Sequence, residues 1–593
     1  MRALKMACLC ALAWLLASCG GDSEVLAADT PAGSDDVAKG RQPIVLGSPP
    51  PRDQIPAAMD RAPRSAGGSG AEHARAAKDK PRPGNAAFPI QTVPSSTETQ
   101  SSKGIPLSAG TKDKGQGAPR SFAPKHQALR QAIERAVANG MQQATQRSKS
   151  RVTSANCQVA IHAIDLADGQ EYVARLADAS LLPASNLKLI TLAAAFAELG
   201  AEHVIRTPFE AAGEIAAGVL RGNLVARAAG DPLYLVDGDG SLGPWARDLA
   251  QQLRAVGIDG IEGDLVLDEG RFLEPGPGPS WPNSRDHWQE YCALAGGFSA
   301  NAGCLTALVQ STQVGALAEV RLMPEGSGLS RVGEVQTVAR GKRLNVAVGA
   351  RPGRATVRGT IPRDVPRYVA RFAAPDPVGL FGSSLRHALE QEGIGIQGVV
   401  RRERGAPGGP VVAYLRSALA DCAVPILRDS NNSVADQVFF HLAHVSGRTP
   451  DRAGGRAAVA AALERIGVAP AGLVQVDGSG LSKANRTSPR QLTALVAAAM
   501  SAPGAEILAS SMPLAGVSGK LKRRMAKGAA KGRVRAKTGF VHGASGLSGL
   551  VETLDGRTLA FSILINYPHF DGLNTHAFKP MQDAICEALV ESK

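Results

Sequence analysis

Aromatic residues are scarce, only 4% of the 593 residues. Between residues 20 and 122 Phe88 is the sole aromatic before Phe122. That stretch is rich in Pro, Gly, Ser and Ala with interspersed charge, and cannot bury enough surface to offset its chain entropy. It reads as a disordered tether whose hundred or so residues reach roughly 50–60 Å. No Cys-x-x-Cys and no Cys/His cluster is present, so neither a metal site nor a cofactor is expected. Beyond the N-terminus no apolar run is long enough to span a bilayer, and no solenoid-type repeat is found. What is present is a 44% hydrophobic chain, long enough for several domains with sizeable cores. Its net charge of +13 and pI near 9.5 suit a polyanionic partner: nucleic acid, an acidic membrane surface or a cell-wall polymer.

The N-terminus narrows the choice. Arg2 and Lys5 precede an apolar stretch, Met6 to Ala17, that has secretory h-region length. Leu16-Ala17-Ser18-Cys19-Gly20 resembles the bacterial lipoprotein processing box, which implies lipidation of Cys19 and anchoring to a membrane. An ordinary leader cut near Ala27 is the alternative, interrupted by Asp22 and Glu24. Export implies an oxidising compartment. Cys292 and Cys304 lie in one loop-like segment and could pair, whereas Cys157, Cys422 and Cys586 read as buried small hydrophobes.

Helical spacing over 125–146 is followed by two alternating strands, 157–164 and 172–176, around an Asp168-Gly169 turn. Residues 187–199 predict a nearly continuous apolar helix. About 170 residues of short strands and Gly turns then interrupt the pattern, with one amphipathic helix over 245–256. Helices return at 376–392, 434–444, 456–466 and 489–500. Strands are expected at 533–537, 545–553 and 558–566, and a helix at 578–590 closes the chain. The domain reading is a leader at 1–19, a tether at 20–122, a discontinuous catalytic domain at 123–204 and 374–593, and an insertion at 205–373.

Three strings carry the chemistry. In Ser185-Asn186-Leu187-Lys188 the i, i+3 spacing puts Ser185 and Lys188 on one helical face. A serine needs a base, and a lysine becomes one when burial or a second cation, here Lys537, lowers its pKa. Ser430-Asn431-Asn432 precedes a helix and reads either as an N-cap or as a proton relay (Ser430) with a clamp for Lys188 and a substrate amide (Asn432). Lys537-Thr538-Gly539 ends a strand, where Lys537 and Thr538 can bind a carboxylate and Gly539 leaves room for substrate. Backbone N–H groups of Ser185 and of Phe540 are candidates for an oxyanion hole. Each string alone is weak; their joint order is not.

With these motifs in order, the chain resembles the low-molecular-mass class C penicillin-binding proteins, D-alanyl-D-alanine carboxypeptidases/endopeptidases, over about 125–593. Gly230-Asp231-Pro232, Asp477 to Ser482, Asn485 and Ser488-Pro489 strengthen the likeness. The resemblance implies an α/β (α+β) penicillin-binding transpeptidase/β-lactamase-like fold, an antiparallel sheet flanked by helices with a large insertion. It implies peptidoglycan stem peptides as substrate, β-lactams as inhibitors and Ser185 as nucleophile. Phe540 stands where the family often has Thr or Ser, which puts one hydroxyl contact to the substrate carboxylate in doubt.

Two other readings compete. A class A β-lactamase would need a Glu-x-x-Leu-Asn motif, which is absent, and class C enzymes carry a tyrosine where Ser430 stands. A non-catalytic wall- or nucleic-acid-binding protein would use the basic run 520–537, in which Arg523, Arg524 and Lys527 are the candidate contacts to an acidic mesh. That run lacks aromatics for stacking on bases, so nucleic acid is not expected as a partner.

Overall fold

The computed structural model describes residues 45–46, 126–234 and 242–592. The leader with Cys19, and all but two residues of the tether, lie outside the described residues. Helix α1 (Gln127–Arg147) buries Leu129, Ile133, Val137 and Met141 at helical spacing. Strands β1 (Gln158–Asp165) and β2 (Glu171–Arg175) pair antiparallel around the expected turn, where Gly169 takes φ +71°. A 3₁₀ turn, Ala184–Asn186, leads into α2 (Leu187–Leu199), whose first ten residues are buried.

The inserted region opens with β3 (Val204–Ala216), β4 (Val219–Arg227) and α3 (Gly243–Ala255). It continues through a small sheet made of β5 (Ser330–Val332), β6 (Val335–Val338), β7 (Asn345–Arg351) and β8 (Arg354–Pro362). Helix α4 (Pro377–Gln391) and strand β9 (Val411–Ala418) follow. Here the packing corrects the boundary drawn from the sequence. Strand β9 pairs along its length with β3. The buried face of α4, Val378, Phe381, Leu385 and Leu389, joins the core of the inserted sheets with Leu249 and Leu267. Residues 374–418 therefore pack with the insertion. Amphipathicity located α4 correctly but could not say which apolar surface its stripe would meet.

The chain then returns to α5 (Asn432–Val445), α6 (Arg452–Arg465) and α7 (Pro489–Met500). Strands β10 (Val534–Val541), β11 (Ala544–Glu552) and β12 (Thr558–Asn566) precede α8 (Lys579–Val590). The five strands form one antiparallel sheet in the order β10-β11-β12-β1-β2. Alternate side chains feed two cores. Ile161, Phe561 and Ile563 meet α1 and α8 on one face, and Ala160, Ala560 and Leu564 meet α2, α5, α6 and α7 on the other. Burial on both faces explains why β12 is apolar at consecutive positions, Ser562 excepted, rather than alternating. Cys157, Cys292, Cys304, Cys422 and Cys586 are all buried free thiols. Among the described residues no helix is long and apolar enough to cross a membrane.

Candidate active site

The three strings meet between α2, α5 and the edge strand β10. Ser185 is half-buried in the 3₁₀ turn, one residue after Ala184, whose φ of +49° is left-handed. Ser430 has φ +64°. Each such non-glycine residue costs about 1–3 kcal/mol, held by the structure around it. The cap of α5 is Asn431, whose Oδ1 accepts the Val434 N–H at 3.0 Å. Ser430 is thereby released from capping, and its Oγ accepts from Lys537 Nζ at 2.8 Å.

Lys188 is buried, and its ammonium is fully partnered. Nζ donates to Ser185 Oγ at 3.2 Å, to Asn432 Oδ1 at 2.6 Å and to the Ser479 carbonyl at 2.6 Å. Asn432 donates its own Nδ2 to the Tyr291 carbonyl at 2.7 Å, so the insertion orients the clamp. Lys537 Nζ also donates to the Thr538 carbonyl at 2.7 Å. Thr538 is half-buried and the Phe540 side chain is 49% exposed at the strand end. Cys19 lies outside the described residues.

Burial pushes the Lys188 ammonium down to about 8, against the pull of Asp436 and Asp477. Of the two expected causes, burial is the one at work on Lys188, and Lys537 is not. Lys537 is itself held well below the ordinary lysine range, first by burial and then by repulsion from Lys188 and Lys520. Two lysines in one dry site thus hold their protons weakly.

Several supporting residues had no role assigned from the sequence, although Asp477 and Asn186 stand within its motifs. Asp477 is buried and ties its loop together. Its Oδ1 accepts from Gly480 N–H and Asn485 Nδ2 at 2.8 and 2.9 Å, and its Oδ2 from Ser482 N–H and Trp281 Nε1 at 2.7 and 3.2 Å. This loop presents the Ser479 carbonyl to Lys188. Asn186 is buried between the nucleophile turn and the sheet, its Nδ2 donating to the Pro183 carbonyl at 3.0 Å. Gly539 and Gly546 face each other across β10 and β11, and a Cβ on either would strike the Asn186 amide. The pair of glycines is a notch that receives this side chain. The reason for Gly539 is therefore close approach of the nucleophile turn, with room for substrate a consequence. We expect Gly546→Ala to lower the melting temperature through overpacking worth about 1–3 kcal/mol. It should also slow acylation by about tenfold by displacing Ser185. Circular dichroism melts and the second-order rate with benzylpenicillin check both.

Asp436 is the other omission. It follows Asn432 by one helical turn, is buried, and has its carboxyl pushed up by burial and by Asp477. When ionised it favours the Lys188 ammonium. Asp436→Asn is expected to lower the Lys188 pKa and move the acid limb of the acylation profile about half a unit to lower pH. An unmoved limb in a pH series would show that the two groups do not communicate.

Strand β10 is an edge, but only in part. Ala536 N–H donates to the Pro513 carbonyl and Ala515 N–H to the Val534 carbonyl, so residues 513–515 cover its first half. The two-residue alternation then aims the N–H groups of Thr538 and Phe540 outward from the uncovered half. Phe540 N–H and the N–H of Ser185, at the start of its turn, are the donors a developing oxyanion would meet.

A helix-flanked antiparallel sheet, with a serine-lysine turn beneath one edge and a large inserted region, defines the penicillin-binding transpeptidase/β-lactamase-like fold. The crystal structure of penicillin-binding protein 4 (dacB) from Haemophilus influenzae superposes with a TM-score of 0.61 at 23% identity, over 75% of this chain and 98% of that one. The same protein complexed with a β-lactam gives 0.57 at 22% identity, over the same 75% and 98%. The chain belongs to the D-Ala-D-Ala carboxypeptidase 3 (S13) family, whose model matches residues 145–588. It is 34% identical over 452 residues to the D-alanyl-D-alanine carboxypeptidase of Actinomadura sp. (strain R39), which covers 72% of this chain and 80% of the relative.

Proposed function

We propose that this protein is an exported serine-type D-Ala-D-Ala carboxypeptidase/endopeptidase that trims or cleaves peptidoglycan stem peptides through a Ser185 acyl-enzyme. The observation that carries the reading is the placement of Lys188 Nζ between Ser185 Oγ and Asn432 Oδ1, with Lys537 on Ser430 alongside. Neutral Lys188 takes the Ser185 proton as Oγ attacks the penultimate D-alanine carbonyl. The Ser185 and Phe540 N–H groups receive the oxyanion. Lys537 and Thr538 hold the terminal carboxylate, and Ser430 passes its proton to the departing amine and is reprotonated at the expense of Lys188, which is left neutral. Water then clears the ester with Lys188 as base. A β-lactam enters the same steps, but its leaving group stays tethered, so the ester persists. Family membership supports this substrate class, and the β-lactam complex of the Haemophilus protein supports inhibition. Cys19 is read as the lipid anchor, on its processing-box context alone.

The test is intact-protein mass spectrometry of the full chain after incubation with benzylpenicillin, followed by peptide mapping. A single penicilloyl adduct on the peptide that holds Ser185 is expected. Rapid loss of penicillin with no lasting adduct would make the protein a β-lactamase, and intact penicillin with no adduct would remove the catalytic reading.

A further inference from the structure

The basic run 520–537 is partly spent inside the fold, although Lys520, Lys522, Arg523, Lys527 and Lys531 are exposed. Lys537 is buried in the site, Arg524 pairs with Asp583, and Arg533 pairs with Glu552. A second basic stretch lies in the insertion. Between residues 330 and 363 there are eight arginines and lysines and one carboxylate, a net +7 against +13 for the whole chain. All eight cations are exposed.

The register concentrates several of them on one face. Val335, Val346, Ala355, Val357 and Ile361 of the β5–β8 sheet turn into the core. The opposite face of β8 therefore presents Arg354, Thr356, Arg358 and Thr360. Across the ladder Arg351 sits directly opposite Arg354 at the Pro352-Gly353 turn. Like charges placed opposite one another cost stability unless an anion lies between them. Among the described residues no carboxylate pairs with Arg351, Arg354 or Arg358. The floor is built of small side chains, with Ala347 opposite Arg358 and Gly349 opposite Thr356. At its far end a depression of about 370 Å³ is lined by Lys342, Arg343, Asn345 and Thr360.

We propose that this outer face docks the polymeric cell wall through the carboxylates of its stem peptides, holding the enzyme on the mesh while other stems enter the Ser185 site. The proposal rests on the substrate class argued above. The face has no aromatic ring to stack on a base and no large apolar wedge to enter a bilayer, while charge and small polar groups suit a carboxylate-bearing glycopeptide.

The experiment is co-sedimentation of the full-length protein with purified insoluble sacculi across a salt series. Anionic vesicles and duplex DNA are run in parallel. The variant Arg351→Glu/Arg354→Glu/Arg358→Glu is expected to bind sacculi at least tenfold more weakly, with a shallower salt dependence. Its benzylpenicillin acylation should stay within twofold of the parent. If that variant melts early, Arg351→Gln/Arg354→Gln/Arg358→Gln replaces it, with a smaller loss expected. Sacculi whose carboxylates have been converted to neutral amides should no longer retain the parent protein. Undiminished binding by the folded variant, undiminished binding to amidated sacculi, or retention on vesicles or DNA but not on sacculi would each overturn the proposal. Absence of a penicillin adduct would instead remove the catalytic reading and leave the sedimentation result readable by itself.

Discussion

Ser185→Ala is expected to abolish the penicilloyl adduct and to lower turnover of a soluble D-Ala-D-Ala peptide by about 10⁴-fold or more. The size follows from chemistry: without the hydroxyl there is no acyl-enzyme, and only the oxyanion donors and substrate contacts remain to act on an attacking water. The fold should survive, because the half-buried Ser185 side chain contributes one 3.2 Å contact to a lysine that keeps its two 2.6 Å partners. A melt within a few degrees of the parent, with no adduct and no turnover, is the expected pair of results. Residual adduct would place the nucleophile elsewhere.

Lys188→Met is expected to slow acylation by about 10³–10⁴-fold while leaving Ser185 in place, so the adduct still forms at long times. Methionine matches the length of the lysine stem but cannot take a proton. In the parent, with Lys188 at about 8, roughly a tenth of the sites hold the neutral base at pH 7, and the rate should climb about tenfold to its plateau. That limb should vanish in the variant. A stability signature accompanies it. The folded pKa of Lys188 lies below that of a free lysine, so between about pH 8 and the free-lysine range the unfolded chain binds more protons. Stability of the parent therefore rises with pH across that window, and part of the rise should disappear with Lys188. Lys537, depressed in the same direction, should sustain the remainder. Rates by stopped flow and melts at pH 8 and 10 check both halves.

Much of this site was legible because it is written locally. Ser185 and Lys188 share a helical face by spacing alone, and Ser430, Asn432 and Lys537 sit at element ends whose punctuation can be read. The structure brings these five together. What stayed hidden depends on contacts between distant segments. Asn186 has meaning only once Gly539 and Gly546 are seen to face each other, although two glycines flanking the His542-Gly543 turn were a signal that could have been used. Asp436 reads as the polar side of an amphipathic helix until the Asp477 loop closes over it. The grip of Trp281 and Tyr291 on the site crosses from the insertion, and no periodicity reports that. The fold shows the same division. Helix and strand positions followed from apolar spacing, whereas the end of the insertion was set by β9 returning to β3, a pairing some 200 residues apart in the chain.

The partial covering of β10 also bears on solubility. A bare sheet edge will pair with any extended chain, including another copy of itself, and a folding protein meets such chains. Residues 513–515 leave open only the segment from Lys537 to Val541. That opening is too short for a stable two-strand pairing between molecules, and it begins with a buried lysine that discourages a second copy. The gap that admits a substrate backbone is thus also the limit that keeps this edge from seeding aggregates.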